Sequence, residues 1–392
     1  MRRLLYALIP ALLLTLTACD PKNTGLIPDS ITINVTGLPK ELQPDITITG
    51  PNGYEQTITE TTTLEELAAG QYTVTVNAVE FRGNGFDPNQ ATHQLALVAG
   101  DTQSARITYA PHRAFSEAVL EHFNEYRTGA GLPTGTLDAN GSLPNWLHAR
   151  YLVENFKTGH NEDPDLPWYT PEGEEAGLKS NVSTRGWIDR EPIAVMHGLA
   201  QAPFHLMNLL DPRTTGIRLG HYENVFPNSH GELVFEHSAT VLQPLMNGAW
   251  PAGRKVYFPG DGQTVEILAH WGETPSPPHM CPTEYHAGPN GLPIFVTRGW
   301  GNPPTVLSSS IRANGAPIEH CVVLSTTEYG GPESHAETVG RALEAFGATV
   351  LLPLHPLEPL TTYAVSITTS DGVEEWTFST ADVEMTLYSL NP

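Results

Sequence analysis

The sequence predicts a multidomain chain in which a central α+β module stands between two all-β modules. Three observations carry this. Short runs alternating apolar and polar residues fill positions 31–110, with the period of a half-buried strand. After Pro111 the period changes to that of a helix. Beyond a proline-rich stretch (Pro275, Pro277, Pro278, Pro282) the alternation returns. A length of 392 residues suits two or three cores of ordinary size.

In the first module, Ile31, Ile33 and Val35 alternate with polar residues, followed by Ile46 and Ile48, then Tyr72, Val74 and Val76, then Leu95 and Leu97, then Ala105 and Ile107. Turn signals separate them: Gly50-Pro51-Asn52-Gly53, Gly83-Asn84-Gly85 and Ala99-Gly100-Asp101. Short strands at this spacing predict a β-sandwich over residues 31–110. The central module, residues 111–272, starts with a helix over 115–127, with Phe115, Val119, Leu120, Phe123 and Tyr126 on one face and Gly129 as terminator. A second helix is predicted from Leu143 to Lys157 and a third from about Glu191 to Ala200. A fourth lies within Ala200–Pro212, where Pro203 suits the first turn. Strands at 216–219, 233–235 and 240–242 follow. The last module, residues 273–381, reads as strands with a helical insertion at 334–346. The turn Ser370-Asp371-Gly372 predicts a closing hairpin. Residues 382–392 form a tail.

The N-terminus has the pattern of a secretory signal peptide: Arg2 and Arg3, then an apolar run from Leu4 to Leu16 that is too short to span a bilayer. Leu16-Thr17-Ala18-Cys19 resembles the bacterial lipobox. The resemblance implies removal of residues 1–18, lipidation of Cys19 and a tether over 19–30. A membrane reached through this lipid anchor is the expected partner, and the cell envelope the expected location. Forty-three acidic against twenty basic residues, a net charge of −23, argue against nucleic acid as a partner. Lipidation leaves Cys281 and Cys321, which outside the cytoplasm favour a disulfide. Metal ligation with the neighbouring His279 and His320 is the rival reading.

Two stretches resemble known β-modules: Leu67–Val76 the last strands of bacterial Ig-like or transthyretin-like modules, and Leu357–Thr380 the closing hairpin of bacterial Ig-like domains. The central module carries a longer set of motifs. In order these are Asn124-Glu125-Tyr126-Arg127, His148-Ala149, Asn155 to His160, Ala202-Pro203-Phe204-His205 with Leu209-Leu210-Asp211-Pro212, and Thr215 to Gly220. From Phe115 to Gly220 the chain resembles the CAP superfamily (cysteine-rich secretory protein, antigen 5, pathogenesis-related 1) in its bacterial SCP-type form. The resemblance implies an α-β-α sandwich with a cleft lined by two histidines and two glutamates, which bind a divalent metal in some members. The histidines carry over to His160 and His205. Ser180 stands where the first glutamate belongs, with Asn181 kept beside it, and the second glutamate has no match.

The expected cleft is therefore His160, His205, Ser180 and Asn181, with His197 added because its helix leads towards His205, and Glu175 as a stand-in carboxylate. His160 and His205 are the candidate ligands for an ion such as Zn²⁺ or Ca²⁺. The bland reading makes Glu162, Asp163, Glu172, Glu174 and Glu175 a solvated acidic loop, and His148 a hydrogen-bonded packing residue. The chain has no Gly-x-Ser-x-Gly elbow, no His-Glu-x-x-His, and no cysteine nucleophile in the central module. The expected function is non-catalytic binding of a small ligand, lipid or divalent ion, with a lipid, cell-wall or protein ligand as partner. The alternatives are a metal-dependent hydrolase acting on cell-wall or secreted peptides, and a structural or adhesion protein without an active cleft.

Overall fold

In the computed structural model, residues 29–188 and 191–383 are described. The signal sequence, Cys19, nearly all of the tether, and the tail from 384 lie outside them. The chain is multidomain and mostly β, the described residues forming six sheets and a few helices.

Residues 30–111 form a four-stranded and a five-stranded sheet. The residues expected to alternate do so: Ile31, Ile33, Ile46, Ile48, Val74 and Ile107 are wholly buried in one core shared by both sheets. The first strand (Ser30–Thr36) runs parallel to the last (Thr102–Pro111), so the module closes where it began. The last strand leads almost directly into the first helix.

The middle of the chain contains helices α1 (Arg113–Gly129), α2 (Leu143–Glu154), α3 (Pro171–Leu178), α4 (Pro192–Ala200) and α5 (Pro203–Leu209). They surround a sheet dominated by two antiparallel strands of 14 residues each, Thr214–Pro227 and Leu233–Met246. Those strands are far longer than the short ones expected. Alternation along them separates two apolar faces. Ile217, Leu219 and Leu242 pack with Val119, Phe123, Met196, Leu199 and Leu206 of α1, α4 and α5. Tyr222, Ala239 and Val241 pack with Trp146, Ala149 and Val153 of α2. The α2 backbone presses so closely on the sheet that a Cβ at Gly220 would lie 2.1 Å from the Asn145 carbonyl carbon, so only glycine fits there.

Helix α3 was not expected. The acidic stretch expected to be solvated loop is helical because Thr170 caps it, its hydroxyl accepting from Gly173 N at 3.0 Å. Pro171 takes the first position, and Glu172 and Glu174 sit at the positive end of the helix dipole.

The C-terminal part holds a four-stranded and a five-stranded sheet, with helix α6 (Glu333–Phe346) where the insertion was expected. The closing hairpin joins Thr362–Thr369 to Gly372–Thr380. Strands Val256–Phe258 and Thr264–Val265 already belong to these sheets, upstream of position 273. The proline-rich stretch, whose composition predicts a linker, is packed instead: Pro277, Pro278, Met280 and Cys281 are buried, and Cys281 is disulfide-bonded to Cys321 with their Cα atoms 6.0 Å apart. One apolar cluster runs from α1, α4 and α5 into the C-terminal sheets, and the other from α2 into the N-terminal sheets.

Candidate functional site

Five segments and Val383 line a pocket of about 630 Å³: the segments are the turn at 158–160, the strand Asn181–Arg185, helices α4 and α5, and the stretch 266–274. His160, His197 and His205 all line it. Its walls are mostly apolar, with Ile193, Leu199, Ile267, Leu268 and Trp271 among them. Pockets of this size and character suit small organic ligands.

His205 lies near the start of α5, after Pro203 has set the first turn. The imidazole is 18% exposed, and its Nδ1 donates to Glu273 Oε2 at 2.8 Å. The Glu273 side chain is 1% exposed, and its Oε1 accepts from Phe204 N at 3.3 Å. Ala202, the N-cap residue, has no side chain to offer, so Glu273 caps α5 from a distant part of the chain. Gln201 docks that part. Its Oε1 accepts from Trp271 N at 2.6 Å, its Nε2 donates to Gly272 O at 3.2 Å, and its own carbonyl accepts from His270 Nδ1 at 2.8 Å. Asn181 supports the helix from behind, donating to His205 O at 3.2 Å.

His160 is exposed at the rim, and its Nδ1 donates to Gly177 O at 3.0 Å. A side chain at 177 would strike the His148 ring at 2.5 Å and His160 O at 2.7 Å, so glycine lets α3 lie against this turn. The turn is fixed from beneath. His148 reaches Glu162 Oε1 at 2.9 Å and Gly159 O at 3.1 Å, while Glu162 Oε2 accepts from Thr170 N at 3.0 Å. His148 is the packing residue expected. Glu162 is a correction: it is buried, because it pairs with that histidine, and is not part of a solvated loop.

Of the residues expected in the cleft, His160, His197 and His205 come together and the others do not. Ser180 is buried away from the lining, its hydroxyl donating to Ala176 O at 2.7 Å and accepting from Asn145 Nδ2 at 3.1 Å. Asn181 is buried behind His205. Glu175 lies outside the lining, paired with Lys179 at 2.5 Å on the surface of α3. A full donor set for a divalent ion is therefore not assembled from the expected residues: the position of the first glutamate is a hydroxyl engaged elsewhere, and Glu273, bonded to His205 Nδ1, leaves that histidine one ring nitrogen to offer. Among the described residues no three His, Cys, Asp or Glu side chains are grouped to hold a metal ion.

The Asn124–Arg127 motif has an architectural role. Asn124 Oδ1 accepts from Gly135 N at 2.7 Å. Arg127, fully buried, donates to Pro133 O and, through Nη1, to the carbonyls of Leu209 and Asp211. It thereby satisfies the C-terminal end of the helix that carries His205.

His197 is pushed down to about 4, first by burial and then by the neighbouring His122, with Glu125 opposing. His112, between the N-terminal module and α1, is pushed down to about 4 by burial and by His221, with Glu223 and Asp87 opposing. Both stay neutral in the fold while the unfolded chain takes up protons near 6.5. Stability is complete above that value and falls as pH drops from 6.5 to 4. The expected loss is roughly 3 kcal/mol for His112. It is smaller for His197, whose side chain is 32% exposed and screened by solvent. Urea unfolding at pH 7 and pH 4.5 checks this: His112→Phe should flatten the pH dependence, and an unchanged slope would refute the assignment.

No protein-family model matches the chain, and no curated protein matches it significantly.

Proposed function

We propose that this is a lipid-anchored envelope protein whose middle module is a CAP-type α-β-α sandwich held between two Ig-like β-modules, and that it binds a small ligand with an apolar body. The observation that carries the reading is that His160 and His205, singled out by motif, line one pocket of about 630 Å³ with largely apolar walls. The ordered motifs from Phe115 to Gly220 support the CAP assignment, and the lipobox-like Leu16–Cys19 supports the anchor. The metal-dependent hydrolase alternative lacks a donor set among the described residues.

Titration of the soluble protein from residue 20 with the neutral apolar dye Nile red tests the binding. Wild type is expected to give saturable single-site fluorescence, and Ile193→Trp, which fills the pocket, to weaken it at least tenfold while circular dichroism stays unchanged. Equal dye binding by both proteins would sink the reading.

A further inference from the structure

The polar edge of the pocket has a definite hydrogen-bonding sense. A carboxylate can only accept, so the 2.8 Å contact between His205 Nδ1 and Glu273 places a proton on Nδ1. In the neutral ring Nε2 then carries a lone pair. A carbonyl can only accept as well, so the 3.0 Å contact to Gly177 O places the His160 proton on Nδ1 and again leaves Nε2 as an acceptor. His197 is uncharged at neutral pH, with Nε2 3.7 Å from Glu266 Oε2. Three carboxylates, Glu191, Glu266 and Glu273, line the pocket against one guanidinium, that of Arg185. That guanidinium lies 5.4 Å from the Trp187 ring, and neither it nor Glu191 is free, which leaves Glu266 and Glu273 as the carboxylates that set the sign of the charge. An incoming carboxylate would meet lone pairs and negative charge. A hydroxyl or an ammonium would find acceptors.

Resting on the ligand-binding reading above, we propose that Glu273 is a specificity-determining residue. By holding His205 as the Nδ1–H tautomer, it makes the pocket select an apolar ligand with a hydrogen-bond-donor head, a hydroxyl or an ammonium, over one with a carboxylate. Glu273 lies 68 residues beyond His205, on the stretch docked by Gln201. A stretch that lies between strands of the C-terminal sheets thus sets the chemistry of a pocket lined largely by the middle module.

The inference has two readouts, both at pH 8 on the soluble protein from residue 20. Long-range ¹⁵N–¹H NMR reads the His205 tautomer without any ligand. Wild type is expected to be Nδ1–H, and Glu273→Gln to shift towards Nε2–H, because the amide can donate to Nδ1. Competition against Nile red with decanol, decylamine and decanoate reads the selectivity. Either donor-headed probe, or both, is expected to bind wild type at least tenfold tighter than decanoate, and decanol against decylamine separates hydrogen bonding from charge. In Glu273→Gln the preference should fall below threefold. An Nε2–H tautomer in wild type, or decanoate bound as tightly as both donors, overturns the proposal whether or not the variant folds. An undiminished preference in a folded Glu273→Gln overturns it too. Failure of all three probes to compete would overturn the ligand-binding reading and the selectivity together, while the nitrogen spectrum still decides the tautomer.

Discussion

Glu162→Ala is expected to destabilise the protein by about 3–5 kcal/mol, the cost of leaving one partner of a buried ionisable pair alone. The side chains of His148 and Glu162 are both 0% exposed. His148 Nε2 donates to the Gly159 carbonyl, and its Nδ1 is bonded to the carboxylate, so both ring nitrogens are engaged. Alanine removes that carboxylate and also strands Thr170 N, which bonds to its other oxygen. Glu162→Gln keeps an acceptor for Thr170 and offers a donor to His148, so it should cost about 1 kcal/mol, the worth of an ordinary hydrogen bond. Urea denaturation of both variants separates shape from charge. The pocket should feel the loss too, because the same contacts hold the turn that carries His160. Equal stability of wild type and Glu162→Ala would contradict the arrangement.

The second large effect is expected at the disulfide. Cys281 and Cys321 are separated by 40 positions, and closing a loop of that size contributes about 4 kcal/mol in the chain-entropy account. The bond ties the buried turn Pro277–Met280 to the strand His320–Val322, which pairs with Thr349–Pro353. That turn follows closely on the stretch bearing Trp271 and Glu273. A Cys281→Ala/Cys321→Ala double variant should therefore lose both stability and Nile red affinity. The single variants are less informative, since each leaves a reactive thiol. Unchanged unfolding in the double variant would show that the loop is held by packing alone.

The sequence revealed local order well and long-range partners poorly. Period-2 alternation located the inward residues of the N-terminal sheets, because there each side chain's direction is set by its own strand. The helices at 113–129 and 143–154 were legible from their apolar faces and stops. Helix α3 was missed because its acidic composition outweighed a cap signal, Thr170-Pro171, that was present. His160 and His205, which line one pocket, are the residues that motif order singles out. Glu273 was not, for a physical reason: it is one of 43 acidic residues, and only the fold brings it 68 positions back to His205. Ser180 and Glu175 show the converse. Each sits at a position or in a composition that suggested chemistry, but nearer partners, Ala176 O and Lys179, take up their polar groups.

Each face of the central sheet, with the helices on it, merges into the core of a different β-module. A middle module lifted out of this chain would thus leave half of each core behind. A gene cut at either junction would encode a protein with its apolar interior open to water.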